Sequence, residues 1–518
     1  MIQTAPIREY KRKPLMPEVR EKLDRCYRES LDLATLKPVA SQVMGAELTT
    51  ALNDGWRLLA LCGLPEQQGQ NSPARQEPEI HLLCIIAHDG TGKLAALLSE
   101  PLTAYPSFTP ASPQAHYFER EIFEQWGVEP LGHPWLKPVR RIPDAPAASY
   151  PYYRVEGEQV HEVAVGPVHA GIIEPGHFRF QCYGEEVLHL EIALGYQHRG
   201  LEAQLLRSSV RLPLVECIAG DSTIAHATAH CVLWERLSGL MPGQRAQILR
   251  RIALELERLA NHCGDLGAIA GDTGFLPTSS WNGRIRGDFL NITASLCGNR
   301  FGRTMLTYGG VRHDADSNLC HEMLERVRMA GRDVRGAVDI MLESPGVLDR
   351  LEHTGSLTAR QAQDLGLVGV PARACGLAVD ARVFSPLSDL PHQEAPCVEG
   401  SGDVLARSRV RSRELDASLH LVQEDLERLA GCPSEEIAAH TGPHLPPNRL
   451  AVAQVEGWRG EVCHLAATDN KGDLLLYKVI DPSFHNWPGL ALALRGQQIS
   501  DFPLCNKSFN LSYCGHDL

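Results

Sequence analysis

Four stretches of the chain are dense in residue types that transfer protons or bind metals. Histidine and carboxylate side chains exchange protons near neutral pH, and cysteine, histidine and carboxylate side chains are common metal ligands. The stretches are "VGPVHAGIIEPGHFRF" (165–180), "GYQHRGLE" (195–202), "ECIAGDSTIAHATAHC" (216–231) and "DFPLCNKSFNLSYCGHDL" (501–518). Because functional sites gather residues from distant loops, we expect these stretches to converge on one cleft.

Two groups in these stretches have the residue types of a metal site without the spacing of a strong one. Cys514, His516 and Asp517 lie close together at the end of the chain, and His226 and His230 are spaced to share one face of a helix. None of the fifteen cysteines lies within four positions of another, so the chain has no CxxC motif. For the histidine pair, the simpler interpretation is one packed, hydrogen-bonded ring and one exposed ring.

The composition argues against several classes of function. A formal net charge of -13 repels phosphate, so nucleic acid is not expected as a partner. The longest apolar runs, such as 82–87 and 490–494, are far shorter than the roughly 20 residues of a transmembrane helix. The start of the chain is basic without an apolar segment, so we expect no secretory signal. No G-x-G-x-x-G fingerprint follows a strand, so any NAD would bind elsewhere.

The elements that must position these stretches predict an α+β, multidomain chain. Residues 1–145 have the pattern of a small α+β domain, with a polar helix near 17–35, strands in 55–63 and 79–88, and a turn at Asp89-Gly90. The Pro- and Ala-rich stretch 141–154 marks a boundary.

Residues 155–518 are predicted to form a second, largely helical domain with peripheral β-strands. Apolar residues recur at three- and four-residue spacing in 243–262, as in Leu249, Ile252, Leu256 and Leu259, and also in 318–343 and 411–431. Three such apolar faces are best buried in a helical bundle. Residues 449–480 then alternate like strands.

The stretches, in their order, resemble the large subunit of the group 4 nickel-iron hydrogenases of formate hydrogenlyase and hydrogenase-4 type. They also resemble its relative in respiratory complex I, the larger quinone-site subunit. The likeness takes in "YGGVRHD" (308–314), "TDNKGDLLLYKV" (468–479) and "FHNWPGL" (484–490). In the first domain, "YFEREIFEQWGVEPLGHPWLKP" (117–138) is similar to a signature of the smaller complex I subunit, which is fused ahead of the large one in formate hydrogenlyase.

The chain departs from the hydrogenase pattern at the metal ligands. In those hydrogenases two CxxC motifs hold nickel and iron through four thiolates, which are soft ligands suited to these metals. The resemblance places Ala219 and Ser222 at the front cysteine positions, and Ser512 and Gly515 at the rear ones. All four thiolates are therefore missing.

A nickel-iron centre is accordingly not expected. Cys217 and Cys514 are displaced from the ligand positions, and two sulfurs cannot replace four. The family removes a C-terminal extension after metal insertion, and no such tail is expected beyond Leu518. We expect polar groups, among them Asp221 and Ser222, and water to fill the volume of the lost metals.

The resemblance also implies roles for residues around the cleft. Glu174 aligns with the glutamate through which hydrogenases pass protons, although from sequence alone a surface-loop glutamate is an equal interpretation. His177, or with weaker support His169, stands for the quinone-binding histidine of complex I. The quinone-binding tyrosine falls on Gly220, so that ligand pair is incomplete.

A further group is expected to be structural and interfacial. His198, Arg199 and Glu202 match a segment near the partner subunit's iron-sulfur cluster. We therefore expect no cofactor in this chain itself, an iron-sulfur cluster in a partner, and quinone as an open alternative.

The sequence thus predicts a peripheral, hydrogenase-related subunit of a complex I-like oxidoreductase on the cytoplasmic face of the inner membrane. Its expected partners are an iron-sulfur small subunit and membrane subunits of the antiporter and quinone-site types. Two alternatives remain open: an active nickel-iron hydrogenase with unconventional ligands, and a scaffold that has lost its redox chemistry.

Overall fold

The computed structural model describes residues 29–67, 79–140, 150–168, 173–384, 387, 390, 395–433, 437–438 and 444–518. Within these ranges the first part of the chain is α+β, as predicted. Its elements are β1 (Leu31–Asp32), α1 (Ser41–Asn53), β2 (Arg57–Pro65), β3 (Ile80–His88), β4 (Lys93–Leu98), β5 (Ala104–Pro106), α2 (His116–Trp126) and β6 (Glu129–Leu131). Strands β2, β3 and β4 form an antiparallel sheet, and β3 and β4 are joined at the predicted turn.

The predicted helix near 17–35 is wrong for residues 29–35, the part of this segment that the structure describes. Leu31 and Asp32 pair with the strand that contains Arg449 and Leu450, and the Asp32 side chain accepts the N–H of Ala34 at 3.0 Å in a short 3₁₀ turn. Strand pairing across the fold and this local cap outweigh helix formation. Residues 17–28 lie outside the described part of the chain.

A second antiparallel sheet leads into the helical region. It consists of β7 (Val160–Val165), β8 (His177–Tyr183) and β9 (Glu186–Ala193). The elements that follow are α3 (Leu201–Arg207), α4 (Leu212–Val215), α5 (Thr223–Ser238), α6 (Gln244–Asp272), α7 (Leu276–Cys297), β10 (Leu306–Thr307), β11 (Gly310–Val311), α8 (Ser317–Leu342), α9 (Pro345–Leu351), α10 (Ala359–Leu365), α11 (Gly369–Ala374), α12 (Ala381–Phe384) and α13 (Val404–Gly431).

The long helices α6, α7, α8 and α13 pack as the predicted bundle. Leu249, Ile252, Leu256 and Leu259 on α6 are all buried in one core shared with α7, α8 and α13. The sequence periodicity therefore identified the buried face of this helix correctly.

The chain returns to a sheet and three short helices at its end. These elements are β12 (Arg449–Glu456), β13 (Glu461–Thr468), β14 (Leu474–Ile480), α14 (Pro482–Ala493), α15 (Phe502–Phe509) and α16 (Tyr513–Asp517). Strands β12, β13 and β14 form an antiparallel sheet with β1 at its edge, which we call the C-terminal sheet.

Both faces of the C-terminal sheet are buried. Leu450 and Val452 of β12 join the core of the N-terminal sheet, whereas the alternate residues Ala451 and Ala453 pack with α5. The sheet therefore connects the N-terminal part of the chain to α5, the helix that carries His226 and His230. The predicted domain boundary at 141–154 lies mostly outside the described residues, which resume at Tyr150, and stays a prediction.

Candidate functional site

The turn before α5 and the C-terminal segment meet across a single arginine. Arg459, in the turn between β12 and β13, donates from Nη1 and Nη2 to the two carboxylate oxygens of Asp221 at 2.6 and 2.7 Å. Its Nη1 also donates to Ser222 Oγ at 3.3 Å, and its Nε donates to the carbonyl of Asn510 at 2.6 Å. The buried guanidinium, which we call the arginine bridge, therefore links the two segments that the resemblance aligns with the metal-ligand motifs of hydrogenases.

The residues at the four positions that the resemblance aligns with hydrogenase thiolates do not fit a nickel-iron centre. Ala219 and Gly515 have no donor atom, and the Ser512 hydroxyl accepts the N–H of Gly515 at 2.9 Å as the cap of α16. A Cβ atom on Gly515 would lie 2.6 Å from Asp481 Oδ2, so even an alanine side chain lacks space there. The soft thiolate ligands are therefore replaced by the hard hydroxyl groups of Ser222 and Ser512 and, at Gly515, by a position that the Asp481 carboxylate leaves without space for a side chain.

Glu174 contacts the end of the chain through the residues that follow Ser512. Its carboxylate accepts the N–H of Tyr513 at 3.2 Å and pairs with the Cys514 thiol. Burial raises the pKa of Cys514 to about 12, and the Glu174 charge adds to the rise. Cys514 is therefore a neutral thiol at pH 7.

His177 begins β8 in the same loop region. Its Nδ1 lies 3.3 Å from the Gly166 carbonyl, and its ring centre lies 5.3 Å from that of Tyr152. Burial lowers the pKa of His177, so the half-buried ring is neutral at pH 7. His169 lies outside the described residues.

His198, Arg199 and Glu202 hold neighbouring segments together. His198 Nδ1 lies 2.7 Å from the Asp517 carbonyl, and Arg199 donates to the carbonyls of Cys217 and Ile218 at 2.7 and 2.8 Å. The side chains of His198 and Arg199 are nevertheless exposed on this surface.

Glu202 belongs to a buried ionic network rather than to the exposed surface. Its Oε1 lies 2.8 Å from Lys478 Nζ, which also pairs with Glu121 at 2.7 Å. Because Glu121 is on α2 and Lys478 is on β14, these pairs tie the N-terminal part of the chain to the C-terminal sheet.

His516 and Asp517 form part of the anchor of the C-terminal helix. The Asp517 carboxylate accepts the N–H groups of Gly195 and Gln197 at 2.8 and 2.9 Å, and His516 Nδ1 lies 3.0 Å from Asp517 Oδ1. Across the described residues, no group of three or more His, Cys, Asp and Glu side chains is arranged to hold a metal ion.

His226 and His230 are both completely buried, so the expectation that one ring is exposed is wrong. The reason is that α5 lies against the C-terminal sheet on the face that carries both rings. His226 Nε2 lies 3.1 Å from Asp481 Oδ2, and His230 Nδ1 lies 2.7 Å from the Tyr477 hydroxyl.

Sequence reasoning missed a carboxylate beside the cleft. Glu257 on α6 accepts the N–H groups of Ile224 and Ala225, at 2.7 and 3.2 Å, at the N-terminus of α5. Burial raises the pKa of Glu257 to about 8, and the charge of Asp221 adds to the rise. An acidic residue on the apolar stripe of α6 was the available signal, and Arg459, Asp481 and Tyr477 gave none, since their partners are far away in sequence.

The structure thus brings the four stretches together at the arginine bridge and the C-terminal helix. Comparisons with known proteins define the class of protein to which this chain belongs. Residues 48–151 match the family "Respiratory-chain NADH dehydrogenase, 30 Kd subunit", and residues 272–517 match the "49 Kd subunit" family. The chain therefore has the two complex I-type regions in one polypeptide, in the order that the sequence predicted.

Individual relatives give the particular family. Formate hydrogenlyase subunit 5 of Escherichia coli strain K12 is 30% identical over 442 residues, which cover 79% of this chain and 76% of the relative. NADH-quinone oxidoreductase subunit 4 of Thermus thermophilus is 28% identical over 399 residues, 70% of this chain and 95% of the relative. The chain belongs to this family of complex I-like hydrogenase and NADH dehydrogenase subunits, and the predicted resemblance is confirmed.

A solved structure supports the fold. The structure of the membrane-bound sulfane sulfur reductase, an archaeal respiratory membrane complex, contains a chain that superimposes with a TM-score of 0.63 at 23% identity. The match covers 71% of this chain and 100% of that one. Among the described residues, no helix has the length and apolar character that a bilayer crossing requires.

Proposed function

We propose that the chain is a peripheral subunit of a membrane-associated, complex I-like oxidoreductase that works without a nickel-iron centre. The observation that carries this proposal is the arginine bridge. Arg459 keeps its positive charge at any physiological pH and pairs with Asp221 between the front and rear segments. Its charge and its contacts take the place that two metal cations have in the hydrogenases.

The work left to such a cleft is the transfer of protons in step with electron transfer in a partner. Asp221, Glu257 and Asp481 lie around the bridge, and the Glu174 carboxylate, in the loop before β8, contacts the C-terminal helix at Tyr513. A partner with an iron-sulfur cluster supplies the electrons, and the exposed surface at His198 and Arg199 is the docking face that we assign to it.

Metal analysis of the complex, purified from its native membrane, tests the proposal. We expect iron from the partner's cluster and nickel far below one atom per chain. One nickel atom per chain would contradict the proposal and favour the alternative of an active nickel-iron hydrogenase. Recovery of the chain without any iron-containing partner would favour the scaffold alternative instead.

Quinone is the electron acceptor that we propose. The support is the neutral ring of His177: its Nδ1–H donates to the Gly166 carbonyl, so its Nε2 is left as an acceptor for the hydroxyl proton of the reduced quinone. Titration of the complex with decylubiquinone should show saturable binding that His177→Ala weakens and that the exposed-site control His420→Ala leaves unchanged. Binding that is absent, or insensitive to His177→Ala, would exclude this acceptor site.

A further inference from the structure

Six side chains between the cleft and the far side of α5 form one continuous line of hydrogen bonds, which we call the histidine-tyrosine chain. The contacts are Asp481 Oδ2 to His226 Nε2 (3.1 Å), His226 Nδ1 to His464 Nε2 (3.1 Å), His464 Nδ1 to Tyr477 Oη (2.8 Å), Tyr477 Oη to His230 Nδ1 (2.7 Å) and His230 Nε2 to Tyr308 Oη (3.1 Å). Each ring nitrogen and each hydroxyl oxygen in this line therefore lies within hydrogen-bond distance of the next side chain.

The two ends of the chain differ in their access to water. Asp481, the three histidines and Tyr477 are each at most 1% exposed, whereas Tyr308 is half-buried beside the β10–β11 hairpin. At the other end, Asp481 faces Gly515, one of the lost thiolate positions. The chain therefore connects the surface of the protein to the cleft.

With an ionised Asp481 and neutral rings, a single placement of protons satisfies all five contacts. His226 must donate from Nε2 to the carboxylate, so its Nδ1 accepts from His464 Nε2–H. His464 Nδ1 then accepts the Tyr477 hydroxyl proton. Tyr477 in turn accepts from His230 Nδ1–H, and His230 Nε2 accepts from Tyr308. All five hydrogen bonds consequently point from the surface toward Asp481.

We propose that the histidine-tyrosine chain conducts protons from the surface at Tyr308 to the carboxylate of Asp481 beside the cleft. In one passage each proton moves along its own hydrogen bond: the Nε2 proton of His226 passes to Asp481, each following donor replaces the proton lost ahead of it, and water reprotonates Tyr308. One proton leaves the solvent, one carboxylate becomes a carboxylic acid, and every ring ends neutral. The inference rests on the proposed function in one respect, since the cleft is where the proton is used.

The surroundings favour a concerted shift over separate charged intermediates. Burial lowers the pKa of His230 to about 3, with the Arg211 charge adding to the shift, and lowers that of His464 well below its ordinary value. Burial also raises the pKa of Tyr477 far above 10. Imidazolium and phenolate forms are therefore costly in this interior. Trp234 packs against His230 with the ring centres 4.3 Å apart, and His230 is completely buried.

Exchange of the histidine N–H protons with deuterium tests the proposal on the full-length chain. The ¹⁵N-histidine-labelled protein is transferred to D₂O, and the ring N–H signals of His226, His464 and His230 are followed by NMR, each assigned with a single substitution. Tyr477→Phe cuts the chain in its middle, and Tyr308→Phe cuts it at the mouth. Tyr105→Phe removes an equally buried hydroxyl elsewhere and serves as the control.

The expected result depends on where the chain is cut. Tyr477→Phe should slow exchange at His226 and His464 by at least about tenfold and leave His230 unchanged, whereas Tyr308→Phe should slow all three. Tyr105→Phe should change none of them, and backbone amide protection should stay constant. A merely structural role for Tyr477 predicts faster exchange on both sides, because the packing loosens.

Three outcomes would overturn the inference: protons on the opposite ring nitrogens while Asp481 is ionised, unchanged exchange at His226 in Tyr477→Phe, or unchanged exchange at all three rings in Tyr308→Phe. If Tyr477→Phe does not fold, the half-buried Tyr308→Phe decides alone. Because none of these readouts uses turnover or metal content, a nickel-containing complex would refute the proposed function without affecting this test.

Discussion

Two buried polar regions of the molecule use different chemistry. The first, which we call the charge cluster, consists of Arg373, Arg382, Asp380, Glu414 and Glu456, all held in ion pairs between 2.6 and 3.7 Å. The second is the histidine-tyrosine chain, whose five hydrogen bonds are all satisfied with one carboxylate and uncharged rings and hydroxyl groups. Fixed opposite charges hold helices in one arrangement, whereas neutral groups that both donate and accept allow protons to move without a net charge in the interior.

The largest effect is expected from breaking the charge cluster. Arg373, which is completely buried, pairs with Glu414 at 2.8 Å and with Glu456 at 2.7 Å. Arg373→Met removes the nearest cationic partner of both buried carboxylates, so the free energy of unfolding should fall by about 3 to 5 kcal/mol. Urea unfolding of the purified chain measures the change.

An exposed arginine provides the control for this prediction. Arg284 pairs with Asp288 and Asp333 on the surface of the bundle, where all three side chains are substantially exposed. Arg284→Ala should change the free energy of unfolding by no more than about 0.5 kcal/mol. Equal losses in the two variants would show that burial does not distinguish these pairs.

The second prediction concerns Glu257, a buried carboxyl group that we expect to be mostly protonated, and therefore neutral, at pH 7. Its pKa of about 8 in the folded chain exceeds the ordinary value of 4.5, so between these pH values the folded state holds a proton that the unfolded state has lost. The resulting stability is complete below pH 4.5 and is lost as the pH rises to about 8.

Glu257→Gln should remove this dependence. The variant should flatten the decline of unfolding free energy across that window, by up to about 1.4 kcal/mol per pH unit, when urea unfolding is repeated at several pH values. Gln423, a partly buried amide on α13, offers a reverse control: Gln423→Glu should leave the slope as it is. An unchanged slope in Glu257→Gln would mean that this carboxyl is ionised at neutral pH.

The sequence predicted the parts of this comparison that depend on local patterns. The apolar spacing of Leu249, Ile252 and Leu256 predicted α6, and the Asp89-Gly90 pair predicted the turn after β3. The resemblance identified the four stretches that converge and the four positions without thiolates.

The contacts that give the cleft its chemistry could not be predicted in this way. Arg459 and Asp221 are 238 residues apart, and His226 and Asp481 are 255 apart, so no local pattern links them. The exposed ring expected at His226 or His230 was wrong for the same reason, because the sheet that covers α5 comes more than 200 residues later in the chain. Tertiary packing, rather than helix periodicity, decides which polar side chains meet.

The smallest predicted effect concerns Gly515, where Asp481 leaves no space for a cysteine side chain. A Cβ atom on Gly515 would lie 2.6 Å from Asp481 Oδ2, whereas one on Gly220 would have no neighbour within 4 Å. Asp481 cannot move aside cheaply, because it accepts the N–H of Ser483 at 2.8 Å and pairs with His226. Gly515→Ala should therefore cost about 1 to 3 kcal/mol of unfolding free energy, and Gly220→Ala should cost less than about 0.5 kcal/mol.

A double-mutant cycle connects this contact to the histidine-tyrosine chain. If the clash is with Asp481, Gly515→Ala combined with Asp481→Ala should cost less than the sum of the two single losses, by about 1 kcal/mol or more. Additive losses would place the strain elsewhere. Since cysteine has the same Cβ atom as alanine, a favourable coupling would also mean that a thiolate at 515 and the carboxylate that ends the proton path exclude each other. The cleft would then hold either a metal ligand or the end of the histidine-tyrosine chain at this position, but not both.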